Sequence, residues 1–216
     1  MDGAEDLQTK VLRAYTVLSS LRPNWPGTLI LNVGLNPTGA AVSLAANIAG
    51  AVCLTLEPDP TLLRNALRAG ACDFIVNTLD EALRAMKNEV RKRCPLSVGL
   101  EGDPSALLQE IIDRGVAPEL FTAPTAHPKA AAHFHSRGAL LVSFDDPALV
   151  LGDRYQLRTF PFATSAELRA FDKLAFSSLP TEDHLRRQWL LSAARIFPRD
   201  RHRTLWLTEE EAATLR

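Results

Sequence analysis

Residues 28–60 read TLILNVGLNPTGAAVSLAANIAGAVCLTLEPDP, and their order decides the fold. An apolar run over 28–33 closes in the turn Gly34-Leu35-Asn36-Pro37-Thr38-Gly39. An alanine-rich stretch of helical length follows, and a second apolar run over 51–56 ends at Glu57 before Pro58-Asp59-Pro60. The expectation is a strand, a glycine-bearing turn, a helix and a second strand. Outward from this stretch the same alternation fills residues 27–144, with further strand candidates at 73–76, 96–100, 119–122 and 139–144. Helix punctuation agrees. Asp59-Pro60 offers an N-cap and a first-position proline for a helix over 61–69, Thr78 heads a capping box with Glu81, and Gly70, Gly115 and Gly138 stand where helices stop. The apolar runs are nearly continuous, so both faces of the sheet should be covered. The class is α/β: a Rossmann-like, doubly wound, mostly parallel sheet of about six strands with flanking helices.

On the N-terminal side, Leu7, Val11, Leu12, Tyr15, Leu18 and Leu21 share the helical period, which places an amphipathic helix over 6–21 in a segment, 1–26, that packs on the core. Residues 27–146 are the Rossmann-like unit and 147–216 a helical extension of the same globule. Beyond Pro147 the strand signal fades, and helices are expected over 165–178, 181–197 and, as a last short one, 208–216. The arginine-rich stretch 195–203 reads as solvated surface, since the chain is neutral overall.

The 216 residues are 46% hydrophobic and 23% charged, which excludes a disordered or coiled-coil class. Lys+Arg total 24 against 25 Asp+Glu, and a net charge of −1 gives no electrostatic footprint for nucleic acid or an anionic membrane. A small, uncharged or weakly charged ligand or a protein partner is favoured over a polyanion. Cys53, Cys72 and Cys94 are widely spaced and read as small buried thiols, neither a disulfide framework nor a zinc site. The N-terminus MDGAEDLQTK is acidic and no apolar run nears ~18 residues, so no signal peptide, no membrane span and a cytoplasmic location are expected.

The first candidate for chemistry is the turn from Gly34 to Gly39. In a dinucleotide-binding fold such a turn brings backbone N–H groups and a helix N-terminus to a pyrophosphate, and here Pro37 removes one donor. The same residues also read as an ordinary strand-to-helix turn with Thr38 as N-cap. Glu57 lies 23 positions after Gly34, where an acid can bond adenosine ribose hydroxyls; it reads equally as a solvated acid before a turn. Gly102-Asp103 and Thr125-Ala126-His127 follow later strands, at the edge where open α/β sheets place ligands, and also read as helix starts. Gly34, Thr38, Gly39, Glu57, Gly102, Asp103, Thr125 and His127 are thus the cofactor-binding candidates. His133 and His135 read as surface residues, and neither a catalytic residue nor a metal ligand is assigned.

These stretches resemble the NAD-binding core of urocanase, urocanate hydratase. LILNVGLNPTGAAVSLAANIAGAVCLTLEPDP is similar to its glycine turn and acid-ended second strand, SVGLEGDPSALLQEIIDRGVAPELFTAPTAH to a later strand-helix-strand run, and VLGDRYQLRTFPF to a segment beyond it, over about residues 20–205 in all. The resemblance implies tightly bound NAD acting as an electrophile toward the urocanate imidazole, followed by addition of water, and it implies a homodimer. Gly39 matches a phosphate-turn glycine, Glu57 the ribose acid, Gly102 a glycine, and Thr125 with His127 part of the nicotinamide side; Asp103 stands where the family has Asn. The departures are Asn36-Pro37-Thr38 for Gly-Gly-Met, Ala123-Pro124 for Asp-Gln, Pro128-Lys129-Ala130 for an aromatic segment, Gln156 at the place of a cysteine, and Arg158 and Phe160 for glycines. The family's flanking substrate-binding and closing parts have no counterpart in these residues.

The expectation is therefore a stand-alone, diverged domain without urocanate hydratase activity by itself, holding NAD or another nucleotide. The alternatives are an NAD-dependent hydratase acting alone or completed by a partner chain, and a purely structural protein whose ancestral pocket is filled.

Overall fold

The computed structural model describes residues 5–144 and 152–215. Its centre is a six-stranded parallel sheet of β1 (Leu29–Val33), β2 (Val52–Glu57), β3 (Phe74–Val76), β4 (Leu96–Glu101), β5 (Leu120–Phe121) and β6 (Leu140–Leu141), in the order β3-β4-β2-β1-β5-β6. β1 sits in register with β2 through Leu31 and Leu54 and with β5 through Leu31 and Phe121. The strands at the β6 side are shorter than the apolar runs suggested, because β5 and β6 meet only through Leu120 with Leu140 and Phe121 with Leu141.

Alternate side chains feed two separate cores. Ile30 and Cys53 face a cluster with Leu12 and Leu18 of α1 (Leu7–Leu21) and Val42 and Ala45 of α2 (Pro37–Ala49). Leu31, Leu54 and Val98 face the opposite cluster, with Met86 of α4 (Leu79–Lys92), Leu108 of α5 (Pro104–Asp113) and Phe134 of α6 (Pro128–Ser136). The remaining helix of this region, α3 (Pro60–Arg68), is opened by Asp59 as expected. The continuity of the apolar runs follows from this double covering: β2 is buried along its whole length.

The C-terminal part holds the three expected helices, α7 (Ser165–Ser178), α8 (His184–Ile196) and α9 (Glu209–Thr214), but also two strands that the sequence reading missed. β7 (Gln156–Pro161) and β8 (His202–Leu207) form an antiparallel ribbon with Arg158 opposite Leu205. Leu205, Trp206 and Leu207 belong to the same core as α1 and α2, so the ribbon closes that face of the sheet domain. The arginine-rich stretch is accordingly not all solvated surface. Arg203 is fully buried, and its guanidinium donates to both carboxylate oxygens of Asp172, at 2.7 and 2.9 Å. Thr9, Gln8 and Thr204 surround it with further hydrogen bonds. The strand was hidden because a buried arginine counts as a polar surface residue until its partner, 31 positions away, is known.

Two smaller expectations also change. Cys53 and Cys72 are buried thiols, but Cys94 is exposed, in the turn after α4 where Arg93 takes a left-handed conformation. His135 is exposed, whereas His133 is half-buried with its Nε2 shut off from solvent. The boundary drawn between residues 146 and 147, the Val150-Leu151 start of one resembling segment, and Arg216 lie outside the described residues. Among the described residues no helix is long and apolar enough to cross a membrane, and no group of His, Cys, Asp or Glu is placed to hold a metal.

Candidate ligand-binding site

β1 is where the direction of strand addition reverses: β2, β4 and β3 lie on one side of it, β5 and β6 on the other. In an open parallel sheet the loops leaving the C-terminal ends of the two strands at such a reversal diverge and leave a crevice. Here that crevice is a cleft of about 380 Å³ between the start of α2 and the segments after β5 and β6. Thr38 and Gly39 line one wall, Ala123, Pro124 and Thr125 another, and Phe144 a third.

The turn that shapes the first wall rests on the conformation of Gly34, the close approach of Gly39 and the side chain of Asn32. Gly34 has φ +86°, a conformation that a side chain strains. Gly39 lies so close to the turn that a Cβ there would collide with the Gly34 carbonyl, which lets α2 start directly against β1. Asn32, buried in the middle of β1, locks the approach: its Nδ2 donates to the Gly39 carbonyl at 3.1 Å and to the Gly34 carbonyl at 3.3 Å, while its Oδ1 accepts from the Thr122 hydroxyl at 2.8 Å. Thr122 in turn accepts the Val33 N–H, tying β5 to β1 beneath the cleft.

Asn32 and Thr122 were missed by the sequence reading. The available signal was an amide inside an otherwise apolar central strand, since a buried polar group persists there only when its bonds are satisfied.

The N-cap of α2 is Asn36 and not Thr38. Pro37 occupies the first helical position, so the helix begins before Thr38, and the Asn36 Oδ1 accepts the Gly39 N–H at 2.9 Å. Thr38 lies in the first turn, and its N–H has no partner among the described residues.

Glu57 ends β2 as expected, but its carboxylate does not line the cleft. It is 4% exposed; one oxygen accepts the Leu35 N–H at 2.6 Å and the other the Asp59 N–H at 2.9 Å. It is neither a solvated acid nor turned toward the crevice. Gly102 donates its N–H to the Glu57 carbonyl at 3.2 Å, and Asp103 caps α5 through the Ala106 N–H, both on the far side of β2 from the cleft. His127 stands at the N-cap position of α6 without a capping bond and lines a separate hollow with Gln109, Lys129 and His133. Of the eight candidates, the structure brings Thr38, Gly39 and Thr125 together in the cleft, places Gly34 and Glu57 in the supporting turn, and leaves Gly102, Asp103 and His127 outside it.

A family model described as the urocanase Rossmann-like domain matches residues 10–140, more than half of the chain. The chain belongs to the urocanase Rossmann-like domain family. The match runs from within α1 to the first residue of β6 and so takes in the whole switch-point cleft apart from the segment after β6. The β7–β8 ribbon and its helices, although they share a core with the urocanase-type sheet, lie beyond the matched residues.

Proposed function

We propose that this chain is a non-catalytic member of the urocanase family that binds a small ligand at the switch-point cleft and does not hydrate urocanate by itself. The observation that carries this reading is the chemistry of the cleft wall. Among the described residues its lining consists of amides, hydroxyls, small residues and apolar side chains, without an acid, base or thiol to move a proton or attack a substrate.

The urocanase Rossmann-like family implies NAD as the cofactor, and the residues present do not fit it in the usual Rossmann mode. That mode needs backbone donors of the turn facing the pyrophosphate and a carboxylate facing the ribose. Here the Leu35 N–H is held by Glu57, the Gly39 N–H by Asn36, and Pro37 has none to give. Both oxygens of Glu57 are engaged by the chain's own backbone.

The test is the near-ultraviolet absorbance of urocanate mixed with purified protein and NAD⁺. The absorbance should stay constant; a protein-dependent decline would make the chain a hydratase and overturn the reading.

A further inference from the structure

We infer that the switch-point cleft takes an uncharged ligand of the nucleoside class in preference to its phosphorylated form, an inference that rests on the reading of this cleft as a binding site. Three observations converge on it. The first is size: about 380 Å³ lies toward the lower end of the roughly 300–1,000 Å³ of small-molecule sites, room for a molecule the size of a nucleoside.

The second is charge. Among the described residues no lysine, arginine or histidine lines the cleft. A phosphate entering it would lose hydration without meeting a cation, and desolvating an unpaired charge is costly. The helix N-terminus that would otherwise compensate is already in use, with Asn36 accepting the Gly39 N–H and Pro37 offering none. Glu57 holds the Leu35 N–H on the far side of the turn. One first-turn donor, the Thr38 N–H, is left, which suits a single neutral acceptor such as a carbonyl or a ring nitrogen.

The third is the wall. Val33 and Phe144 provide apolar surface for a ring, and Thr38 and Thr125 line the same cleft with hydroxyls that can donate to or accept from its polar edge. A nucleoside combines these features: a flat ring, exocyclic donors and acceptors, hydroxyls, and no charge.

The experiment compares the melting temperature of the full chain with adenosine, uridine, AMP and UMP at equal concentrations. A nucleoside should raise the melting temperature with increasing dose, and its monophosphate should raise it less. Thr125→Trp, at an exposed position that would fill the cleft mouth, should abolish the shift, and Thr38→Val, which removes a hydroxyl at nearly constant volume, should weaken it. A larger shift with AMP or UMP than with the nucleosides would overturn the inference while leaving the cleft a binding site. No shift with any of the four would overturn the inference and remove the support for a binding role, and a nucleoside shift untouched by both variants would place binding elsewhere and overturn it as well.

Discussion

The Glu57 carboxylate accepts the Leu35 N–H at 2.6 Å, across 22 positions of chain, from a site that is almost closed to solvent. A second bond to the Asp59 N–H fixes the other oxygen, so one side chain joins the turn after β1 to the turn after β2. The acid at the end of the second strand is thereby part of the scaffold of the urocanase-type turn.

Removing that carboxylate leaves two backbone donors unpaired. Glu57→Ala should destabilise the fold by about 1–3 kcal/mol for each donor left buried and unsatisfied. Glu57→Gln, whose amide has a single acceptor oxygen, should retain one of the two bonds and lose less. Urea unfolding of the three proteins checks the order, and equal stability of all three would show that the bonds contribute nothing.

The two glycines of the turn should fail differently. Gly34 has open space where a Cβ would stand, so Gly34→Ala carries only the strain of its positive φ, about 1–2 kcal/mol. At Gly39 the Cβ would meet the Gly34 carbonyl, which is backbone and has no rotamer to yield. Gly39→Ala should lower the melting temperature more than Gly34→Ala; the reverse order would contradict the close approach of α2 to β1.

The sheet was legible because the apolar runs of β1 and β2 are broken by only Asn32 and Thr55 before their ends, and each ends in punctuation that a helix start requires. The position of Glu57 was equally legible, but its role was not: whether a carboxylate faces a ligand or its own backbone depends on the turn path, which Pro37 and Asn36 set together. Thr38 and Asn36 are both competent caps, and sequence alone does not choose between them. The β7–β8 ribbon was illegible for another reason. Arg203 pairs with Asp172 inside the core, so an arginine in a stretch that reads as surface is interior.

That ion pair should also give a large single-residue effect. Arg203→Met leaves the Asp172 carboxyl without its partner in a closed site, and breaking a buried pair from one side typically costs about 3–5 kcal/mol. The double variant Arg203→Met with Asp172→Leu should recover much of the loss. Denaturant midpoints of the two variants measure this, and a double variant less stable than the single one would show that the pair is not what holds β8 against α7.

Thiol reactivity should separate the cysteines. Burial pushes the Cys53 thiol up to about 11 and the Cys72 thiol up to about 12, so neither supplies thiolate near neutral pH, whereas Cys94 is exposed. A chromogenic disulfide reagent should react promptly with Cys94 in the native protein and with the other two only after unfolding. Prompt reaction of all three would contradict the packing of β2 against α3.

Acid should destabilise the C-terminal face. Burial alone would raise the carboxyl groups of Glu211 and Asp6. Arg186 with the Thr208 N–H outweighs it at Glu211, and Thr9 with His202 outweighs it at Asp6, so both lie below their ordinary values. A carboxylate depressed on folding stabilises the native state fully above about pH 5, and that contribution is lost as pH falls through the carboxylate range. Urea unfolding at neutral pH and at about pH 3 should show the loss, and Glu211→Gln should reduce the pH dependence. A variant with unchanged pH dependence would remove Glu211 from this account.

The most direct measurement is a calorimetric titration of NAD⁺ into the full chain. With the Glu57 carboxylate committed to the Leu35 and Asp59 N–H groups, no saturable heat is expected. Saturable binding that disappears in Glu57→Gln, with the variant still folded, would show the carboxylate meeting the ribose and would contradict the account.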